Sequence, residues 1–385
     1  MTFEEYRDRK YFSSLDGLRA ICVLGTIALH SPDSRTFGWL GGGLGVTVFF
    51  ILSGYLITTL ALREERENGS ISLAAFYVRR SFRILPIYYA VLGGQSLLIL
   101  TGVAMRSSYD GFVRYLPSYL CYYQDLLLTW DIHNQSLRPT PFTHTWSLGV
   151  EEKFYLAWPA LCFVLWRARP RSRLVGAAAL VVGFAASRSI ARLGLENKIW
   201  VFWSLVLSNY FPILLGCLLA LLLDLPHVYR RLSLLGTGIG TGVIVSAFLT
   251  SHLVIPLLVY CPAEYVWWES LLAVGVITSL LTGGGWFARL LEASPLTMLG
   301  RLSYSVYLVH AMAQHLVHRL LNPGPGQPMR SIPGYILTCL VSAAAAYILA
   351  VTVERPCIAL GRGWSRRLIE NRERKLEAVP ELAEA

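Results

Sequence analysis

Long runs of apolar residues with no charged side chain limit this chain more than any other feature. Segments 42–62 (GGLGVTVFFILSGYLITTLAL) and 204–223 (SLVLSNYFPILLGCLLALLL) are two of them. A helix of about 20 residues rises about 30 Å, the thickness of a bilayer's hydrocarbon core. In hydrocarbon, every backbone N–H and C=O must be satisfied within the segment, and a helix does this alone. Ten such segments are legible, at 15–31, 42–62, 84–104, 146–166, 174–189, 204–223, 234–254, 265–283, 296–318 and 334–353. With 54% hydrophobic and only 15% charged residues, the chain cannot coat a water-soluble surface. A soluble enzyme, a coiled coil and a disordered chain are excluded. The expectation is an all-α integral membrane protein, a bundle of about ten transmembrane helices. It forms a single domain over residues 1–385, with a motif-bearing bundle at about 10–356 and a charged tail at 357–385.

One further stretch, 112–130 (FVRYLPSYLCYYQDLLLTW), carries Arg114, Pro117, Gln124 and Asp125 among aromatics, a composition suited to an interfacial or re-entrant segment. Leaving it uncrossed gathers most of the 34 Lys and Arg on one side, including Arg79, Arg80, Arg83, Arg167, Arg169, Arg171, Arg173 and the tail. The positive-inside rule then places both termini in the cytoplasm of a multi-pass cell-membrane protein. The net charge of +10 is therefore read as a topology signal and a source of phosphate and lipid contacts, with no nucleic-acid partner. Seven scattered cysteines without a CxxC spacing predict neither a disulfide framework nor a zinc site. The charged start MTFEEYRDRK predicts no cleavable signal peptide.

Ionisable groups inside spans are costly, so each needs a partner or a use. The first span holds Asp16, Arg19 and His30. Asp16 and Arg19, three apart on one helix face, can form an ion pair. His30 lies 14 residues past Asp16, near the outer side, as a buried neutral histidine or a base. The fourth span opens HTWSLGVEEKFYLAWP and brings Glu151, Glu152 and Lys153 to about the same depth. A carboxylate there can orient an imidazole that takes a proton from a hydroxyl, so Glu151 is expected to face His30. Glu152 and Lys153 are expected to neutralise each other. In FYVRRSFRILP, Arg80 and Arg83 sit one turn apart and suit phosphate oxygens, although lipid headgroups explain such a cluster as well. Gly41, Gly42, Gly43, Gly45 and Gly54 permit close approach of another helix or of a thin ligand. Late in the chain, LGRLSYSVYLVHA adds Arg301, Ser303, Tyr304, Tyr307 and His310; no cluster has metal-ligand spacing.

The succession LDGLRAICVLGTIALH, GVTVFFILSGYLIT, RRSFRILPIYY, TWSLGVEEKFYLAWP, LGRLSYSVYLVH and ERP resembles the acyltransferase 3 family of membrane O-acyltransferases, in family order from residue 14 to residue 356. The resemblance implies a ten-helix bundle that moves an acyl group, usually acetyl, from cytoplasmic acyl-CoA to a hydroxyl of a carbohydrate or small molecule. It implies that Arg19 and His30 match the family's Arg and His of the first helix, His30 being the catalytic base. By the same resemblance Arg80 and Arg83 handle the CoA donor, and Ser147, Glu151, Tyr307 and His310 fall on further family positions. The family's Gln after the paired glutamates is Lys153 here. The hydrolase-like SGNH extension of some relatives is not expected after this bundle.

The reading is an O-acyltransferase that uses acyl-CoA, and no metal. His30 and Glu151 are its catalytic residues, Arg19, Arg80 and Arg83 hold the donor, and Ser147, Tyr307 or His310 serve substrate or oxyanion. A proton-coupled transporter or flippase of an anionic molecule is the rival, which inverted repeats would favour.

Overall fold

A computed structural model describes residues 1–31, 40–101, 109–138, 140, 142–165, 170–192, 198–258, 265–283, 285–321 and 331–383. Among them every regular element is helical. The chain opens with a short helix α1 (Phe3–Asp8), closed by a capping box between Thr2 and Glu5. Helix α2 (Ser13–Leu29) ends at His30, and α3 (Gly42–Asn68) starts from Gly41 at φ +63°. Helix α4 (Leu73–Leu100) is capped by the Ser72 side chain. Then come α5 (Tyr109–Leu120) and α6 (Gln124–His133), followed by α7 (Trp146–Ala160), which runs into a π turn at Leu161–Leu165. The middle of the chain holds α8 (Pro170–Arg192), α9 (Lys198–Ser208), α10 (Phe211–Leu223), α11 (Pro226–Leu232) and α12 (Gly238–Leu258). Helices α13 (Tyr265–Thr282), α14 (Gly285–Leu291), α15 (Ser294–Arg301), α16 (Ser303–Leu321), α17 (Ser331–Leu349) and α18 (Arg355–Ala383) complete it.

By length and apolarity three described helices can cross a membrane, or up to six if each bent pair counts as one span. The expected count of about ten is therefore not reproduced. Apolar windows in the sequence do not register breaks: α9 and α10 bend by 40° across Asn209 and Tyr210, and the α11 segment meets α12 at 75°. The stretch 112–130 also breaks, at Tyr122 with φ 56°, into helices of 12 and 10 residues, each too short to span. Helices α5 and α6 form a hairpin laid against α4 and α7.

The early glycines pack helices against each other. A Cβ on Gly54 would lie 1.9 Å from the Ile213 carbonyl oxygen, and one on Gly216 2.0 Å from that of Ile51, so α3 and α10 touch backbone to backbone. Gly45 meets the Cys22 carbonyl in the same way, joining α2 to α3. Three apolar cores follow. One lies among α2, α4, the hairpin, α16 and α17, a second among α2, α3, α10 and α13, and a third among α3, α4, α7 and α10.

Where α3 ends, acidic residues take up several of the expected basic ones. Arg79 pairs with Glu64 at 2.5 Å, Arg173 with Glu65 at 2.5 Å, and Arg66 with Asp224. Arg167, Arg169 and Cys261 lie outside the described residues, while the other six cysteines are unpaired. The charged tail is helical as far as it is described: α18 packs on α4 through Gly361 and Trp364 against Phe82, and Ser365 accepts a hydrogen bond from Arg79 at 2.7 Å.

Candidate active site

A cavity of about 100 Å³ opens between α2, α3, α4, α7 and α16. Its polar lining consists of Arg19, Ser53, Arg80, Arg83, Ser147, Glu151, Glu152, Tyr155, Ser303, Tyr304 and Tyr307. Helical spacing explains why α4 supplies both Arg80 and Arg83, and why Arg79, turned the other way, is spent on Glu64 and Ser365. The Arg80 guanidinium lies 4.8 Å from the centre of the Tyr155 ring, and Arg83 remains accessible. The Glu151 carboxylate accepts from Ser53 at 2.7 Å and sits in the field of Arg80 and Arg19. Buried atoms here have unfilled hydrogen-bonding capacity: Arg19 Nε and Glu152 Oε1 find no protein partner.

Tyr307 and Ser147 close one wall. The Tyr307 hydroxyl donates to the His144 carbonyl, so the 2.7 Å contact with Ser147 must be the serine donating to the tyrosine. Three imidazoles lie directly behind that wall. His310 is completely buried, and its Nδ1 donates to the Tyr307 carbonyl at 2.6 Å. His30 Nδ1 donates to the Thr26 carbonyl at 2.9 Å and lies 3.3 Å from His310 Nε2. Carbonyls only accept, so each Nδ1 carries the hydrogen and His310 Nε2 is the acceptor toward His30. The lone pair of neutral His30 is then on Nε2, at the accessible end of α2. The His144 ring stands 4.6 Å from that of His310 and 6.2 Å from that of His30.

The expected residues thus fall into two adjoining groups. Arg19, Arg80, Arg83 and Glu151 share the cavity, Ser147 and Tyr307 form its wall, and His30 and His310 meet behind it. The expected pairing of Glu151 with His30 is not formed, because the two side chains face opposite sides of the Tyr307 wall. Two further pairings are corrected. Asp16 accepts from Tyr11 and lies 3.6 Å from Arg301, which leaves Arg19 for the cavity. Lys153 pairs with Asp125 at 2.5 Å instead of with Glu152. Nor do the early glycines line the cavity. His144 stands in HTWSLGVEE, where the sequence assigns it no role; only its position before α7 brings it to His310. Ser53 and Tyr155 gave no signal beyond being polar in a span. Among the described residues no His, Cys, Asp and Glu grouping could hold a metal ion.

Residues 12–351 match the family model described as an acyltransferase domain. A Staphylococcus aureus protein provisionally named an O-acetyltransferase is 30% identical over 362 residues, covering 87% of this chain and 55% of that protein. The peptidoglycan O-acetyltransferase OatA of Listeria monocytogenes is 30% identical over 345 residues, 78% of this chain and 49% of its own length. YrhL of Bacillus subtilis, provisionally named a peptidoglycan O-acetyltransferase, is 28% identical over 394 residues, 96% of this chain and 58% of its own. The chain thus spans about half the length of the curated relatives it matches. No solved structure matches it.

Proposed function

This chain belongs to the acyltransferase family that its residues 12–351 match, and from that membership and the arrangement of its polar groups we propose that it is a membrane O-acetyltransferase. The donor is acyl-CoA, in the first instance acetyl-CoA. The acceptor is a hydroxyl of a carbohydrate, a reading supported by the peptidoglycan named for two of the relatives. The topology proposed from the sequence is ten crossings of the cell membrane with both termini in the cytoplasm, so that the arginine-lined cavity faces the cytoplasm. Membership of this family favours transfer over the transport of an anion.

The observation that carries the proposal is the adjacency of two unlike sites: an arginine-rich cavity and, behind one tyrosine, a hydrogen-bonded pair of imidazoles. Arg19, Arg80 and Arg83 take the donor's phosphates, for which guanidinium forks are suited. The acceptor hydroxyl gives its proton to His30 Nε2 as its oxygen attacks the thioester carbonyl. The C–S bond then breaks and the proton passes to the departing thiolate. His310 orients His30 by accepting from its Nδ1–H, and Thr26 holds the same edge, so a carbonyl and an imidazole do the work that a carboxylate does elsewhere. Glu151 acts from the donor side, beside the arginines. Ser147 and Tyr307 each already donate their one hydroxyl hydrogen, so either must rotate to serve the oxyanion.

The test is acetyl transfer from radiolabelled acetyl-CoA to an N-acetylglucosamine tetramer by the full-length protein in proteoliposomes, wild type against His30→Ala. Transfer by the wild type alone supports the proposal. Transfer by neither, with acetyl-CoA binding shown, removes the carbohydrate acceptor; unimpaired transfer by a folded His30→Ala protein removes His30 as base.

A further inference from the structure

The hairpin of α5 and α6 turns at Tyr122, a tyrosine in the left-handed region with φ 56°. A non-glycine residue keeps that conformation only when its surroundings impose it, and such residues gather at functional sites. The surroundings here are α7. Lys153 Nζ donates to the Tyr122 carbonyl at 2.9 Å and to Asp125 at 2.5 Å, so one ammonium spans both sides of the turn. Gly149, one helical turn earlier, leaves room for this: a Cβ there would lie 2.6 Å from Asp125 Oδ1 and 3.2 Å from the Tyr122 carbonyl oxygen. Asp125 is 2% exposed as a side chain, so it needs its counter-ion.

Between these two residues, the buried Gln124 donates to the Thr145 carbonyl at 2.8 Å. Thr145 follows His144, whose carbonyl receives the Tyr307 hydroxyl and whose ring packs on His310. The hairpin tip therefore grips the segment before α7 at Thr145 and α7 itself at Gly149 and Lys153, on either side of Ser147 and Glu151.

We infer that the Asp125–Lys153 pair is a clasp that positions the catalytic wall: by closing the Tyr122 turn onto α7, it holds Gln124 on Thr145 and so fixes His144, Ser147 and the Tyr307 hydroxyl. Asp125 and Lys153 are positioning residues and touch no substrate. The inference rests on the acyl-transfer reading for its kinetic consequence, while the geometry it asserts is independent of that reading. It also gives Lys153 a purpose other than the expected neutralisation of Glu152.

The experiment uses the full-length protein in proteoliposomes with acetyl-CoA and the N-acetylglucosamine tetramer. Lys153→Ala and Asp125→Ala should each lower kcat about 100-fold, as a small misplacement of a reacting group does, while KM for acetyl-CoA stays within about threefold. The double variant Asp125→Asn with Lys153→Gln should return kcat to within about tenfold of wild type, because neutral amides restore a hydrogen bond without an unpaired buried charge. Retained kcat in the alanine variants, a loss confined to KM, or a double variant no better than Lys153→Gln alone would each overturn the clasp. If the alanine variants do not fold, the comparison of Lys153→Gln with the double variant decides alone. Carbethoxylation of His144 by diethyl pyrocarbonate, read by mass spectrometry without donor present, supplies the independent arm. It should be faster in Lys153→Gln and return to the wild-type rate in the double variant, even if the wild type transfers no acetyl group to the tetramer. An unchanged rate in Lys153→Gln would overturn the clasp.

Discussion

Two histidines of this bundle lie in opposite surroundings. His252 on α12 shares a 2.8 Å hydrogen bond with the buried Glu269 of α13, and its ring fills the space beside Gly41 that any Cβ would occupy. Among the described residues His30 has no carboxylate partner: a backbone carbonyl and His310 hold its Nδ1. A histidine–carboxylate pair is the usual mark of a general base. Among the described residues that mark sits on the histidine outside the family motifs and not on the motif histidine. Inside a membrane, a carboxylate beside an imidazole favours a fixed charge pair, whereas a carbonyl and a second imidazole favour a neutral ring with one lone pair exposed. The first arrangement ties helices together, and the second suits the base proposed for His30.

That contrast can be broken most directly at His30. His30→Ala should lower transfer by about 10²–10⁴, the range for losing a general base, with acetyl-CoA binding preserved in a calorimetric titration. Because Glu151 lies across the Tyr307 wall, Glu151→Gln should add to that loss instead of being masked by it, and full masking in a double-mutant cycle would restore the direct pairing. Next in size is the donor side. Arg83→Lys should raise KM for acetyl-CoA about tenfold with a smaller change in kcat, the size expected when one charged hydrogen bond of a fork is lost.

His252→Gln sharpens the comparison from the other side. It should leave kcat and KM near wild type while lowering stability by about 1–3 kcal/mol, as the loss of a buried hydrogen-bond partner does. Thermal melting in detergent reads the second effect, and a kcat loss as large as that of His30→Ala would erase the distinction.

The smallest effect concerns the hairpin. Burial alone would raise the Asp131 carboxyl, but hydrogen bonds from Arg114 at 2.9 Å, Tyr115 at 2.6 Å and Ser136 at 3.0 Å outweigh it and hold the group below the ordinary carboxylate range. A depressed carboxylate stabilises the fold above its unfolded value and ceases to do so as pH falls through its folded one. Hydrogen exchange over residues 109–133 should therefore speed up only below about pH 4, and Asp131→Asn should abolish the pH dependence. Constant protection at lower pH in the wild type would refute this.

The sequence made the helical membrane class legible, and it marked most of the residues that meet at the site. Arg80, Arg83 and Glu151 stood out as charges in oily surroundings, and each reaches the cavity. Which charge answers which was not legible. Asp16 and Arg19 share a helix face, yet Asp16 meets Tyr11 and Arg301 while Arg19 faces the cavity, because spacing along one helix says nothing about its neighbour. Lys153 adjoins Glu152 in sequence but reaches Asp125, 28 residues away, since only the Tyr122 turn brings the hairpin back onto α7. The number of crossings was obscured for a similar reason: apolarity sets how much chain lies in the membrane, and local breaks such as Asn209 and Tyr210 decide how many rods it makes.

The Tyr307 wall has an electrical consequence. On the proposed topology, with glutamates open to one compartment and imidazoles to the other, the bundle would contain the ingredients of a proton leak, and any such leak would discharge the membrane potential, worth about 2.3 kcal/mol per elementary charge at 100 mV. With its hydroxyl hydrogen held by the His144 carbonyl and its oxygen by Ser147, Tyr307 offers no continuous wire between the two. In the proposed acetyl transfer only an uncharged group would have to pass this wall, and the membrane around it would stay insulated.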